Sequence, residues 1–108
     1  MTKYRAKKTV IDGIKFDSKK EAKRYIVLKA LEGKGEIEKL MLQPRFLLQE
    51  GFRKNGKAYR KIEYVADFMY EQDGKLIIED VKGIKTDVYK LKQKLFEKRY
   101  QDLTIKEI

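Results

Sequence analysis

Asp73-Gly74 stands between two stretches rich in strand-forming residues, 59–71 and 75–82. An Asp-Gly pair accommodates the two left-handed residues of a type I′ turn, so the pattern predicts a tight β-hairpin. In a two-residue turn Gln72 faces Lys75, and counting outward fixes each later pair. Met69 falls beside Ile78, Tyr70 beside Ile77, and Asp67 directly opposite Asp80. A longer loop at the turn would move Asp67 off Asp80. The two strands carry apolar residues on both faces, with Ile62, Tyr64, Ala66 and Phe68 on one and Val65, Met69, Leu76 and Ile78 on the other. A strand apolar on both faces is covered on both faces, so this hairpin is expected at the centre of the sheet.

Shorter signals organise the rest. Asp12-Gly13 between 9–11 and 14–16 predicts another hairpin. Ser18 with Glu21 three residues on is a capping-box pattern, and Ala22, Tyr25 and Ile26 continue it as a helix that Gly33 and Gly35 end. Residues 37–49 read as a strand or bent strand pair around Pro44, and 51–56 as a basic loop. Residues 87–100 form a second helix whose apolar stripe is Val88, Leu91, Leu95 and Phe96, and 103–108 a last strand. The order ββ-α-β-β-β-α-β over a single domain, 1–108, predicts an α/β or α+β sandwich with a central sheet.

Charge narrows the partner. With 27 Lys+Arg against 17 Asp+Glu, the net charge of +10 suits a polyanion, most commonly nucleic acid. Residues 53–61 carry Arg53, Lys54, Lys57, Arg60 and Lys61 with no acid. The absent residues narrow the chemistry. No Cys and no His means no thiolate zinc site, no thiol nucleophile and no Ser-His pair, leaving carboxylates, lysines and an oxygen-bound metal. No apolar run approaches the roughly 20 residues of a membrane span, and no signal-peptide core follows the basic N-terminus. A cytoplasmic protein with no membrane partner is expected.

Against that background the Asp67–Asp80 pair stands out. Adjacent carboxylates repel, and the arrangement makes sense if a divalent cation binds between them. Oxygen ligands favour Mg²⁺ or Mn²⁺. Alternation puts Lys82 on the same face as Asp80 and Glu79 on the other. Lys82 could then hold a water or phosphate oxygen beside the metal, where charge grows on a phosphodiester. The plainer reading is a pair of strand-end acids balanced by a nearby cation.

Asp67 followed by Asp80-Val81-Lys82 resembles the D…(D/E)-x-K signature of the PD-(D/E)XK nuclease superfamily. Tyr64-Val65-Ala66-Asp67-Phe68 and Ile77-Ile78-Glu79-Asp80-Val81-Lys82-Gly83 look like its small phage and prophage members. Phe16-Asp17-Ser18-Lys19-Lys20-Glu21 resembles the first helix of Holliday-junction-resolvase-like and transposon-end-cleaving relatives. The resemblance implies a restriction-endonuclease-like three-layer α-β-β-β-α-β sandwich, here with an extra N-terminal hairpin. It implies a Mg²⁺- or Mn²⁺-dependent endodeoxyribonuclease acting on branched or phage recombination DNA, homodimeric by analogy, with no small-molecule cofactor and a place in the bacterial host cytoplasm.

By the same resemblance Asp67 and Asp80 are metal ligands, Glu21 an auxiliary one, the Val81 carbonyl completes the shell, and Lys82 orients the water. Two departures stand: Ala66 replaces the usual Pro, and Asp80 the commoner Glu, so a one-residue slip would substitute Glu79. Glu21 has the competing role of helix cap. Gln43 resembles an active-site glutamine of some relatives, although a purely structural role explains a lone Gln as well. Lys19, Lys23, Lys85, Lys90 and Lys94, with Tyr89 and Lys92 nearby, are candidate DNA contacts. The alternative to an enzyme is the same fold kept only for binding nucleic acid.

Overall fold

The computed structural model describes residues 8–81 and 84–108. The chain opens with β1 (Thr9–Ile11), β2 (Ile14–Phe16) and α1 (Lys19–Gly33). Six strands follow: β3 (Glu38–Leu42), β4 (Arg45–Gln49), β5 (Phe52–Lys54), β6 (Lys57–Tyr59), β7 (Ile62–Val65) and β8 (Phe68–Gln72). It closes with β9 (Lys75–Asp80), α2 (Asp87–Arg99) and β10 (Ile105–Glu107).

Three Asx-Gly pairs, Asp12-Gly13, Asn55-Gly56 and Asp73-Gly74, each hold two successive residues at φ between +51° and +76°, the signature of type I′ hairpin turns. Two of them close the expected hairpins. The third corrects the reading of 51–56 as a loop: β5 and β6 form a hairpin around Asn55-Gly56, in register Phe52↔Tyr59 and Lys54↔Lys57.

The main sheet runs β10-β9-β8-β3. β8 is antiparallel to both β3 and β9, while β10 is parallel to β9, so the sheet is mixed. A parallel neighbour needs a crossover, and α2 supplies it. One face of the sheet packs Phe68, Tyr70, Ile77 and Val81 against Ala22, Tyr25 and Leu28 of α1. The other packs Ile78 and Ile105 against Tyr89 and Phe96 of α2, together with Tyr64, Ala66, Phe46 and Leu48. The result is a small α/β domain with one helix on each face.

The strand expected over 59–71 is in fact divided. β7 pairs with β4, and β8 with β3 and β9. Pro44 divides β3 from β4 at the same level. The two breaks are tied together: the Gln43 N–H donates to the Asp67 carbonyl at 2.9 Å and the Ala66 N–H to the Pro44 carbonyl at 3.1 Å. Gln43 adopts φ +51°, an uncommon conformation for a residue with a side chain. The bend moves Tyr64 and Ala66 to the α2 face while Phe68 and Tyr70 line the α1 face. Strict alternation would have kept all four together.

Ser18 caps α1, its Oγ accepting from the Glu21 N–H at 3.1 Å, and Thr86 caps α2 by accepting from the Tyr89 N–H at 3.1 Å. The stripe expected to seat α2 is corrected as well. Tyr89 and Phe96, two turns apart, are buried, whereas Val88, Leu91 and Leu95 are 63%, 59% and 37% exposed. Aromatic packing decides this. Phe96 lies 5.0–5.5 Å from the rings of Phe46, Tyr64 and Tyr100, and that cluster fixes the rotation of the helix. Among the described residues no helix is long and apolar enough to cross a membrane.

Candidate functional site

The β8–β9 register is the one the turn predicts, from Gln72↔Lys75 through Met69↔Ile78 to Phe68↔Glu79. Asp67 lies one residue beyond β8, its N–H donating to the Glu79 carbonyl at 3.1 Å. Asp80 ends β9, fully buried. The Asp67 carboxyl lies close enough to that of Asp80 for each to feel the other's charge, and its Oδ2 accepts from the Val81 N–H at 2.7 Å. The Tyr64 hydroxyl donates to Asp80 Oδ2. The bend at Ala66–Asp67 thus seats two acids side by side at the end of the central hairpin.

Burial first, then the hydrogen bond with Asp80, push the Asp67 carboxyl well above the ordinary carboxylate range. The Val81 N–H opposes that shift, and the charges of Glu21 and Asp80 add to it. Burial and the neighbouring Asp80 likewise raise the Tyr64 hydroxyl. A hard divalent cation bound between two adjacent carboxyls would relieve the repulsion that raises such a group.

Glu21 is 8% exposed, with its backbone engaged in the Ser18 cap and its charge felt at Asp67. Among the described residues, no three acidic side chains close into a group able to hold a metal ion. The geometry therefore supplies an acidic pair with a third acid within electrostatic reach. Lys82 lies outside the described residues.

Glu79, the alternative second acid, points to the opposite face. It is fully buried, and Arg24 of α1 grips both its oxygens, Nε at 2.7 Å and Nη2 at 2.6 Å. The Tyr70 hydroxyl also donates to it. Burial alone would raise Glu79, but the Arg24 and Tyr70 hydrogen bonds outweigh it and hold the carboxyl below the usual range. Tyr70 is in turn pushed up to about 12, by burial and then by Glu79. Asp80, not Glu79, is the acid that meets Asp67. Sequence reasoning missed Arg24. The available signal was that an acid on the second face of a doubly covered strand needs a cation from the helix above it.

Gln43, joined to Asp67 through the backbone, has an exposed side chain. Lys19, Lys23, Lys90 and Lys94 are exposed on the two helices, and Lys85 pairs with Glu107 at 2.9 Å. A groove of about 210 Å³ is lined by Tyr64, Thr86, Tyr89 and Lys92, Tyr64 being the residue whose hydroxyl donates to Asp80.

Fold and site together define a small α/β domain with a carboxylate pair, Asp80 buried and Asp67 half-buried, at the end of its central hairpin. The chain belongs to the family DUF1064, described as a protein of unknown function, which matches residues 1–108. No curated protein and no solved structure matches it.

Proposed function

We propose that this domain is a Mg²⁺-dependent endodeoxyribonuclease of the PD-(D/E)XK type, acting on branched DNA. The observation that carries the reading is the pairing of Asp67 with Asp80 at the bend of the central hairpin. The element order supports it. With β4–β7 set aside as an insertion, α1-β3-β8-β9-α2-β10 follows the α-β-β-β-α-β order of a restriction-endonuclease-like core. Asp67 and Asp80 would hold the Mg²⁺ or Mn²⁺ ion, with Glu21 and the Val81 carbonyl as auxiliary oxygens. When bound, the ion supplies Lewis-acid activation of water and charge neutralisation at the scissile phosphate.

The chain's own residues set the stage for that chemistry. The Val81 N–H and the Tyr64 hydroxyl each fix one oxygen of the pair, so neither carboxylate must reorganise as negative charge grows. Lys82 would orient the attacking water. With ten net positive charges, the domain surface would attract the substrate through counterion release.

Purified protein incubated with supercoiled plasmid or a four-way junction tests the reading. Nicking or resolution is expected in Mg²⁺ or Mn²⁺ and none in EDTA. Tight, salt-dependent DNA binding without cleavage in either metal would leave a nucleic-acid-binding domain and overturn the enzymatic reading.

A further inference from the structure

The β5–β6 hairpin serves no packing purpose in this fold. Among the described residues neither strand packs against another element; they form a two-stranded ribbon of their own. Residues 49–61 are exposed without a break. A hairpin that buries nothing is marginal by itself, yet this one is built with care. Asn55-Gly56 gives it a tight I′ turn. Phe52 and Tyr59 stack across it, centroids 4.8 Å apart at 10°, and Lys57 lies over the Tyr59 ring at 5.1 Å. At its root, a Cβ on Gly51 would sit 3.0 Å from the Tyr59 carbonyl oxygen and 3.2 Å from the Lys61 nitrogen, so the close approach of the two backbones needs glycine.

Residues 53–61 carry Arg53, Lys54, Lys57, Arg60 and Lys61 and no acid, with Glu50 just before the root. Among the described residues the contacts of this segment's cations within the molecule are few: Lys57 lies over the Tyr59 ring, Arg53 reaches the Gly56 carbonyl at 3.4 Å, and Lys61 lies 3.7 Å from Glu63. A rigid, basic, two-stranded ribbon fits the major groove of B-form DNA in width. The major groove of duplex RNA is too narrow and deep to admit it. Single-strand binding would use aromatic faces as base platforms, and here the two rings are stacked on each other.

We propose that the β5–β6 hairpin is an arm that grips duplex DNA, its ribbon entering the major groove and its five cations contacting the flanking phosphates. The inference rests on the nucleic-acid reading above and adds where the duplex is held, a surface distinct from the helix lysines.

The test is equilibrium binding of a fluorescent 25-base-pair DNA duplex in EDTA, followed as a function of salt. Three proteins are compared: the unaltered chain, the arm variant R53Q/K54Q/K57Q/R60Q/K61Q, and the charge-matched variant K34Q/K39Q/K75Q/K98Q/K106Q. Each phosphate contact adds about 0.9 to the slope of log K against log salt, so loss of the five arm contacts should flatten the slope by about 4–5 and weaken binding about tenfold or more at low salt. The charge-matched variant should change the slope by less than about 1. Melting temperatures of all three should agree, because the altered residues are exposed. Equal losses in the two variants would overturn the arm while sparing the nucleic-acid reading. No binding by the unaltered chain would overturn both. Tighter arm-dependent binding to duplex RNA or to single strands would overturn the major-groove assignment.

Discussion

Replacing Asp67 by asparagine is expected to reduce Mg²⁺-dependent DNA cleavage by about 10²-fold or more, while the melting temperature holds or rises. A neutral amide is a poor ligand for a hard cation, and removing one preorganised electrostatic partner from a hydrolytic site typically costs about 10²–10³ in rate. Stability should move the other way. The amide oxygen still accepts the Val81 N–H, now bonded at 2.7 Å, and the unfavourable contact with Asp80 loses its second charge. Each 1 kcal/mol of relief would raise the melting temperature by about 4–8 °C in a domain of this size. Asp80→Asn should behave alike, since an amide oxygen still accepts from the Tyr64 hydroxyl. Cleavage rates and melting curves on the same preparations decide the matter. An inactive variant that also melts much earlier would point to a structural role for the pair.

Arg24→Met should destabilise the domain by about 3–5 kcal/mol, the usual result of stripping the partner from a buried charge. The methionine fills most of the arginine's volume, so the loss reports the stranded Glu79, which is 0% exposed. The double variant Arg24→Met/Glu79→Gln should recover much of the loss, because a neutral amide can still accept from the Tyr70 hydroxyl. The dependence on pH has a definite sign. In the unaltered chain the folded-state pKa of Glu79 lies below its unfolded value, about 4.3. The stability due to this pair is therefore complete above about pH 4.3 and lost as pH falls through the folded value. In Arg24→Met burial dominates and raises Glu79, so the deficit should shrink as pH falls from 8 to 5. Urea melts at both pH values check this. A deficit that is flat with pH, or absent, would show that Glu79 is not the stranded charge.

The hairpin and its register were legible because type I′ chemistry is local: Asp73-Gly74 admits few alternatives, and a period of two carries that choice outward to Asp67 and Asp80. The N-terminal hairpin and the Ser18 cap follow from equally local rules. What escaped depends on contacts distant in sequence. The break between β7 and β8 is set by Pro44, over twenty residues away, through hydrogen bonds that no window around Ala66 contains. The rotation of α2 is decided by Phe46, Tyr64 and Tyr100, which outbid the leucine stripe for the core. Arg24 was hidden because a charged residue within a helix ordinarily faces water. The β5–β6 hairpin was legible in Asn55-Gly56, but the density of cations around it made the segment resemble a solvated loop.

The carboxylate pair is the centre of the account, and a crystal of the protein soaked in Mn²⁺ tests it most directly. The prediction is an anomalous peak between the carboxylates of Asp67 and Asp80, lost in Asp67→Asn. A well-ordered pair with no peak at millimolar Mn²⁺ would contradict it.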